Sequence, residues 1–284
     1  MTLTRFTLST HLQLIWHVAL MRFRIMSRYP GFRVFDIIMP TFIAAMPILL
    51  GQGIGGSAAQ AAANFERNTG TANYIAYLLI GSNVFMMVSG TLWNVGYWLR
   101  REQETGTLEA LYLAPTGRGS ILTGIWLYGM ARMLFNFVVA FTFGSIVFQV
   151  NPLQGDILLA LVFLLVGFIP LSGISLLYGA IILRIKAANA LIQLAQWIIS
   201  FLMGLFFPIT IFPAWLRMVA LLFPPTWMNN GVRASLLGLG FFFERWYFDL
   251  AVLGVFCVIT PWLGYRLFTR TEQAVRSSAG VGEF

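Results

Sequence analysis

Charged side chains are scarce in this chain of 284 residues: they make up 10% of it, whereas about 25% is usual in soluble domains. Hydrophobic residues make up 58% of the chain. Several apolar runs reach or approach the roughly 20 residues that a helix needs to cross a hydrocarbon core about 30 Å thick. These runs are apolar on every face, which excludes the alternating strands of a membrane barrel. The composition therefore predicts an all-α membrane protein.

Cysteine and lysine are nearly absent, with one residue of each. Cys257 lies inside the last apolar run, so an intrachain disulfide and a cysteine metal cluster are both excluded. Lys186 lies in LRIKAAN, which has no glycine cradle for phosphate, so the chain has no P-loop of its own. His11 and His17 do not share a helical face and are poor metal ligands. We expect no metal, catalytic or cofactor site in this chain.

Six long apolar segments predict six transmembrane helices. They cover residues 34–50, 74–99, 120–148, 157–183, 190–212 and 247–268. Pro40 and Pro47 lie in the first, where we expect a kinked helix because neighbouring helices can satisfy the freed carbonyls. Asn94, Asn136, Gln193 and Gln196 are polar inside these spans, and we expect them to form hydrogen bonds between helices.

Basic residues are unevenly distributed between the segments that flank these spans. Thirteen lie in the segments on the side of both termini, and four lie in the alternate segments. The positive-inside rule therefore predicts that both termini are cytoplasmic. Membrane orientation explains the formal net charge of +8 better than nucleic-acid binding does, because the basic residues do not form one stripe.

The two ends of the chain differ from its centre. Residues 1–33 predict a cytoplasmic tail with an amphipathic helix, at residues 11–29, that lies in the membrane interface. Residues 34–268 form the six-helix domain. Residues 269–284 are polar and rich in small side chains, so we expect a flexible cytoplasmic tail.

Acidic residues are concentrated in the cytoplasmic segment EQETGTLEALYLAP, residues 102–115. Glu102, Glu104 and Glu109 are three of the ten acidic residues in the chain. These carboxylates argue against a position on the anionic inner leaflet. Two alternatives remain open: weak surface pairing with nearby arginines, and docking to a partner protein.

The same segment also predicts a turn followed by a short helix. Gly106 gives the backbone the freedom to turn, and Thr107 is a plausible N-cap. A helix of about two turns follows, with Leu108 and Leu111 on its apolar side, and ends at Pro115. An amphipathic helix of this kind is suited to contact with another protein.

This segment resembles the cytoplasmic signature of the ATP-binding-cassette type-2 export permeases, in which the region forms the coupling segment against the ATPase subunit. The matching positions are Glu104, Gly106, Thr107, Leu108, Glu109, Leu111 and Pro115. A late segment, residues 206–238, is similar to the family's segment between spans five and six. Its matching positions are Phe206, Pro208, Pro213, Trp215, Leu216, Pro224, Thr226, Arg233 and Gly238.

The late segment predicts two short re-entrant helices. Pro208 and Pro213 are expected to break span five, and residues 214–223 and 226–239 are each too short to cross a membrane. Trp215 and Arg233 suit an interfacial depth. The alternative is an ordinary extracellular loop, which the apolar content of the segment disfavours.

The resemblance implies a transport subunit, not an enzyme. The family pairs with an ABC ATPase that binds ATP and Mg, and two permease copies, identical or paralogous, surround a central path in the plasma membrane. Hydrophobic or amphipathic cargo, such as a drug, lipid or lipid-linked glycan, is our expectation because the spans offer few polar groups. A secondary transporter driven by an ion gradient is the alternative, although we find no internal repeat.

Arg132 lies about twelve residues into the third span, which places it near mid-membrane if that helix begins at Ser120. An ionisable residue there suggests contact with an anionic substrate or a lipid headgroup. The alternative, which we favour on sequence alone, is that the span starts deeper and Arg132 snorkels to the cytoplasmic face.

Overall fold

A computed structural model describes residues 8–28, 30–55, 57–106, 118–182, 185 and 188–278. It is 84% helix, with no strand in the described ranges. The α-helices in chain order are α1 (Leu8–Ser27), α2 (Pro30–Gly55), α3 (Ala58–Thr69), α4 (Tyr74–Glu104), α5 (Arg118–Val147), α6 (Ile157–Ile182), α7 (Ala188–Leu202), α8 (Ala214–Leu221), α9 (Pro224–Leu237) and α10 (Trp246–Ser278). The all-α prediction is confirmed.

Five of the described helices are long and apolar enough to cross a membrane. These candidate spans are Val34–Ile54, Tyr74–Trp93, Ser120–Val147, Ile157–Ile182 and Trp246–Ala274. The remaining expected span, residues 190–212, is α-helical only within α7, which has 15 residues. The six-span layout and the cytoplasmic position of both termini stay predictions.

The end of α7 differs from the sequence prediction. We expected Pro208 and Pro213 to break this helix, but it ends at Leu202, before either proline. Gly204 has φ +68° and turns the chain, and a short 3-10 helix, Ile209–Ile211, follows. The Gly204 and Leu205 amides donate to the Phe201 carbonyl at 3.0 Å and the Ser200 carbonyl at 3.1 Å, which closes the helix locally.

The helices at the two chain ends, α10 and α1, can be compared with the segments expected there. α10 continues through Ser278, ten residues into the segment expected to be a flexible tail. The stretch from Thr269 to Ser278 contains no proline or glycine, and Thr271 and Glu272 are buried, so packing of one face supports the helix. At the other end, α1 confirms the expected helix, and its place in the membrane interface stays a prediction.

The sequence pattern did not indicate α3, the helix between the first two candidate spans. Ser57 caps its N-terminus by accepting a hydrogen bond from the Gln60 amide at 3.2 Å. Gly70, with φ +77°, ends it in the left-handed conformation. In the sequence, Ser57 and Gly70 were the signals that a helix begins and ends here.

The core of the bundle surrounds α4. This helix packs against α2, α5, α6 and α9, and its side chains Leu79, Ile80 and Leu92 are fully buried. α10 presents exposed apolar side chains such as Val255 and Val258 on its outer face. A central helix buried on several sides and a peripheral helix with an apolar outer face are typical of a membrane bundle.

α6 and α10 form the most extensive helix contact. Gly173 lies against the Thr260 main chain and Gly264, so that a Cβ atom at Gly173 would overlap α10. Pro170 has no amide to donate to the Val166 carbonyl, and the Cys257 thiol of α10 donates to that carbonyl at 3.4 Å. Small residues and a side-chain donor therefore compensate for the proline within α6.

Candidate functional site

A cavity of about 830 Å³ lies between α1, α2, α4, α5 and α7. Its walls are mainly apolar and include Met39, Ile43, Met133, Phe137 and Trp197. The volume falls within the roughly 300–1,000 Å³ that is usual for small-molecule sites. A hydrophobic ligand can be accommodated within one copy of this chain.

An ion pair interrupts the apolar wall of this cavity. Arg132 Nη2 on α5 donates to Asp36 Oδ2 on α2 at 2.7 Å. Asn136, one turn further along α5, donates its Nδ2 to the same oxygen at 2.9 Å. The Arg132 and Asp36 side chains are 26% and 18% exposed, so both lie mostly within the protein. The pair is a charged contact between two candidate membrane spans.

Both sequence hypotheses for Arg132 stay open. α5 includes residues before Ser120, and the depth at which it enters the membrane stays a prediction. The guanidinium has a protein partner and lines the cavity. Contact of Arg132 with a substrate or lipid stays a prediction.

The buried polar atoms of residues that line this cavity include two without a hydrogen-bond partner among the described residues: Arg132 Nε, and Asn83 Oδ1 on α4. Asn83 is 2% exposed, and its Nδ2 already donates to the Leu79 carbonyl. A buried acceptor without a partner costs about 1–3 kcal/mol, so Asn83 is an unfavourable polar group within the cavity wall.

The predicted hydrogen bonds between helices are found at two positions. Asn136 connects α5 to α2 through Asp36, and Gln196 Oε1 on α7 accepts from Trp93 Nε1 on α4 at 2.9 Å. Gln193 lines the cavity, and the Asn94 side chain lies outside the described residues. Polar contacts thus connect four of the helices that enclose the cavity.

A second polar cluster lies at the contact of α4, α7 and α9, outside the cavity. Arg233 on α9 donates to the carbonyls of Tyr77 at 3.2 Å and of Gly204 and Leu205 at 2.6 Å each. Its guanidinium carbon lies 3.7 Å from the centre of the Tyr77 ring. The Arg233 side chain is 3% exposed, so its contacts are all internal.

The other residues of this cluster complete the end of α7. Thr226 Oγ1 donates to the Leu202 carbonyl at 3.3 Å, and Asn229 Nδ2 donates to the Met203 carbonyl at 2.8 Å. Spacings of three and four residues place Thr226, Asn229 and Arg233 on one face of α9. The amides of Met203, Gly204 and Leu205 bond the preceding α7 carbonyls, and α9 adds donors for Leu202 and for the residues that follow the helix.

The described contacts of the late segment, residues 206–238, therefore mostly hold helices together. The two expected short helices are found as α8 and α9, while their re-entrant position in the membrane stays a prediction. Pro208 and Pro213 precede the 3-10 helix and α8, and Pro224 begins α9. Trp215 is exposed and its interfacial position stays a prediction, whereas Arg233 is buried between helices.

Most of the cytoplasmic segment 102–115 lies outside the described residues, which omit 107–117. Thr107, Leu108, Glu109, Leu111 and Pro115 belong to that stretch. Glu102 and Glu104 lie in the last turn of α4. The expected turn at Gly106 is confirmed by its φ of +68°. The short helix and its coupling role stay predictions.

A family model described as "ABC-2 family transporter protein" matches residues 52–266, which include helices α3 to α9 and most of α10. This chain belongs to the ABC-2 transporter family. It is an ABC-type permease with several candidate membrane-spanning helices. No curated protein matches the chain.

The sequence did not predict the roles of two residues of the permease cavity. The spacing of three residues suggests that Asp36 pairs with Arg33, whereas the structure pairs Asp36 with Arg132, 96 residues away. Asn83 is one polar residue in a long apolar run and has no local pattern that marks it. In the described ranges, no group of three or more His, Cys, Asp or Glu residues is placed to hold a metal ion.

Proposed function

We propose that this permease is the membrane subunit of an ATP-driven exporter that moves a hydrophobic or amphipathic substrate out of the cell. The observation that carries the proposal is the family match over residues 52–266. The sequence has no P-loop, so the energy must come from an ATPase subunit that binds ATP and Mg. The apolar cavity of about 830 Å³ supports cargo of this class.

The proposed cycle passes motion from the ATPase to the cavity. ATP closes the ATPase pair, and the coupling segment, residues 102–115, receives the movement. α1 offers a second route because it packs on α5, where the Ile15 carbonyl and Val18 lie against Gly124. α5 also carries Arg132, so a shift of α1 reaches the cavity wall. Each state must bind substrate differently for the cycle to do work.

The proposed assembly follows the family pattern. Two permease copies, identical or paralogous, pair with ABC ATPase subunits in the plasma membrane, with both termini in the cytoplasm. α8 and α9 are re-entrant helices at the outer leaflet. Membrane lipid surrounds the apolar outer faces, such as that of α10.

The test is co-expression of the permease with its candidate ATPase, followed by co-purification in detergent and measurement of ATP hydrolysis. We expect a stable complex, and we expect Glu104→Ala, Leu108→Ala and Glu109→Ala to weaken it or to uncouple hydrolysis from transport. Glu66→Ala on α3 is the matched control, because Glu66 is an exposed acid outside the coupling segment. A folded wild-type permease that binds no ATPase would contradict the proposal.

A secondary transporter is the second candidate function, and the Arg132–Asp36 pair favours it because such proteins use intramembrane charges. Reconstitution into proteoliposomes without ATPase separates the two. Substrate movement driven by an imposed proton or sodium gradient alone would support the secondary transporter. Movement that requires the ATPase and ATP would exclude it.

A further inference from the structure

We propose that the cavity binds a single-chain anionic amphiphile, with its acidic headgroup on Arg132 and its hydrocarbon chain along the apolar wall. The inference rests on the proposed function in treating this ligand as cargo. Binding itself is a property of the permease alone and can be measured without the ATPase. Failure of binding and failure of ATPase docking are therefore separate results.

Arg132 has hydrogen-bond donors that the described residues do not use. A guanidinium has five N–H donors, and the described residues accept one of them, through Asp36. Arg132 Nε is buried and has no partner among the described residues. Asp36 Oδ2 already accepts two hydrogen bonds. The described site therefore has spare donors on a cation, which suits a carboxylate or phosphate group.

The second feature is which polar groups a ligand can reach. Asn83 Oδ1 on α4 has no partner in the described part of the chain, but it is buried with almost no accessible surface. The Arg132 side chain is 26% exposed and lines the cavity, so its guanidinium is open to a headgroup. A simple hydrocarbon leaves these donors unused.

The apolar lining is the third feature. Met39 and Ile43 on α2 and Met133 on α5 contribute hydrophobic side chains to the cavity wall. Methionine is flexible, so such a wall adapts to chains of different shape. The combination of a cation and an apolar wall matches an anionic amphiphile better than it matches an ion or a sugar.

Asp36 has a specific place in this arrangement. Its carboxylate already accepts a hydrogen bond from the Arg132 guanidinium, so an incoming anion competes with Asp36 for the same cation. Removal of the Asp36 charge must then strengthen anion binding. Loss of the Arg132 charge must weaken it. If the ion pair were only structural, the two substitutions would not change anion affinity in opposite directions.

The test measures equilibrium binding of two probes to the purified permease in nanodiscs. Oleoyl lysophosphatidylglycerol has a phosphate and hydroxyl groups, and monoolein has the same acyl chain and a glycerol head but no phosphate. We expect lysophosphatidylglycerol to bind saturably and at least tenfold more tightly than monoolein. Arg132→Met is expected to remove this difference, and Asp36→Asn to increase lysophosphatidylglycerol affinity several-fold.

Two controls keep the result interpretable. Arg67→Met removes an exposed cation of α3 outside the cavity and is expected to leave both affinities unchanged. Arg132→Lys keeps the charge if Arg132→Met does not fold, and we expect it to retain part of the preference. Equal binding of the two probes to the wild type, or weaker lysophosphatidylglycerol binding in Asp36→Asn, would overturn the proposal.

Discussion

Arg233 and Arg132 both lie within the helical bundle, and their surroundings differ. Arg233 donates to three main-chain carbonyls, lies over the Tyr77 ring and is closed off from solvent. Arg132 has one carboxylate partner among the described residues and faces a cavity. A cation with occupied donors connects structural elements, and a cation with spare donors beside open space is available to a ligand. Stability therefore depends more on Arg233, and recognition depends more on Arg132.

The strongest test of this comparison is Arg233→Met, which keeps much of the side-chain volume and removes the donors. Hydrogen bonds to charged groups contribute about 1.5–3 kcal/mol each, so we expect the free energy of unfolding to fall by about 3 kcal/mol or more. Thermal denaturation in detergent, followed by size-exclusion chromatography, measures the loss. Arg233→Lys keeps the charge without the planar fork and is expected to be intermediate. A melting temperature equal to wild type would show that the cluster is not structural.

The second test substitutes two glycines of α4, one beside Arg233 and one at the cavity. A Cβ atom at Gly81 would overlap Arg233 Nη2 and the Leu205 carbonyl oxygen, whereas one at Gly90 would meet the flexible end of Met133 at the cavity. We expect Gly81→Ala to destabilise the protein by about 1–3 kcal/mol, the usual cost of overpacking. Gly90→Ala is the matched control and is expected to change stability by less than about 1 kcal/mol. Equal effects of the two substitutions would contradict the distinction between a packed region and an adaptable one.

The sequence predicted the parts of the fold that depend on local pattern. Long apolar runs located the five candidate spans, and proline and glycine positions located α8 and α9. Inter-helix hydrogen bonding by Asn136 and Gln196 followed from their polarity within apolar runs. These features need only the composition of short segments.

Long-range contacts decided the polar pair of the cavity. Asp36 and Arg132 are 96 residues apart, and no local pattern joins them. The end of α7 has a local cause, because Gly204 has a positive φ and the Gly204 and Leu205 amides donate to the Phe201 and Ser200 carbonyls. Gly204 was therefore an available sequence signal for the helix end, whereas the Asp36–Arg132 pair depends on how the helices pack, which a single sequence does not specify.

The third test measures the coupling within the cavity pair. We expect Asp36→Ala and Arg132→Met each to lower stability by about 1–2 kcal/mol, because each leaves a mostly buried polar group without its partner. The double variant should cost less than the sum by about 0.5–1 kcal/mol, since contacting residues are not independent. A double-mutant cycle of melting data gives this number. Strict additivity would mean that the pair contributes nothing as a pair, and stability and ligand binding at Arg132 would then be unconnected.

The smallest expected effect compares two hydrogen bonds, one at the cavity wall and one in the packed core. Gln196→Leu removes the acceptor of Trp93 Nε1, and Ser175→Ala removes a hydroxyl that donates to the Thr91 carbonyl between α6 and α4. Water can enter the cavity and replace the Gln196 acceptor, whereas Ser175 is fully buried. We therefore expect a loss below about 0.5 kcal/mol for Gln196→Leu and about 1 kcal/mol for Ser175→Ala, in the range of single hydrogen bonds. If Gln196→Leu proves the more damaging in the same melting assay, the cavity wall is as rigid as the core, and the contrast between the two regions fails there.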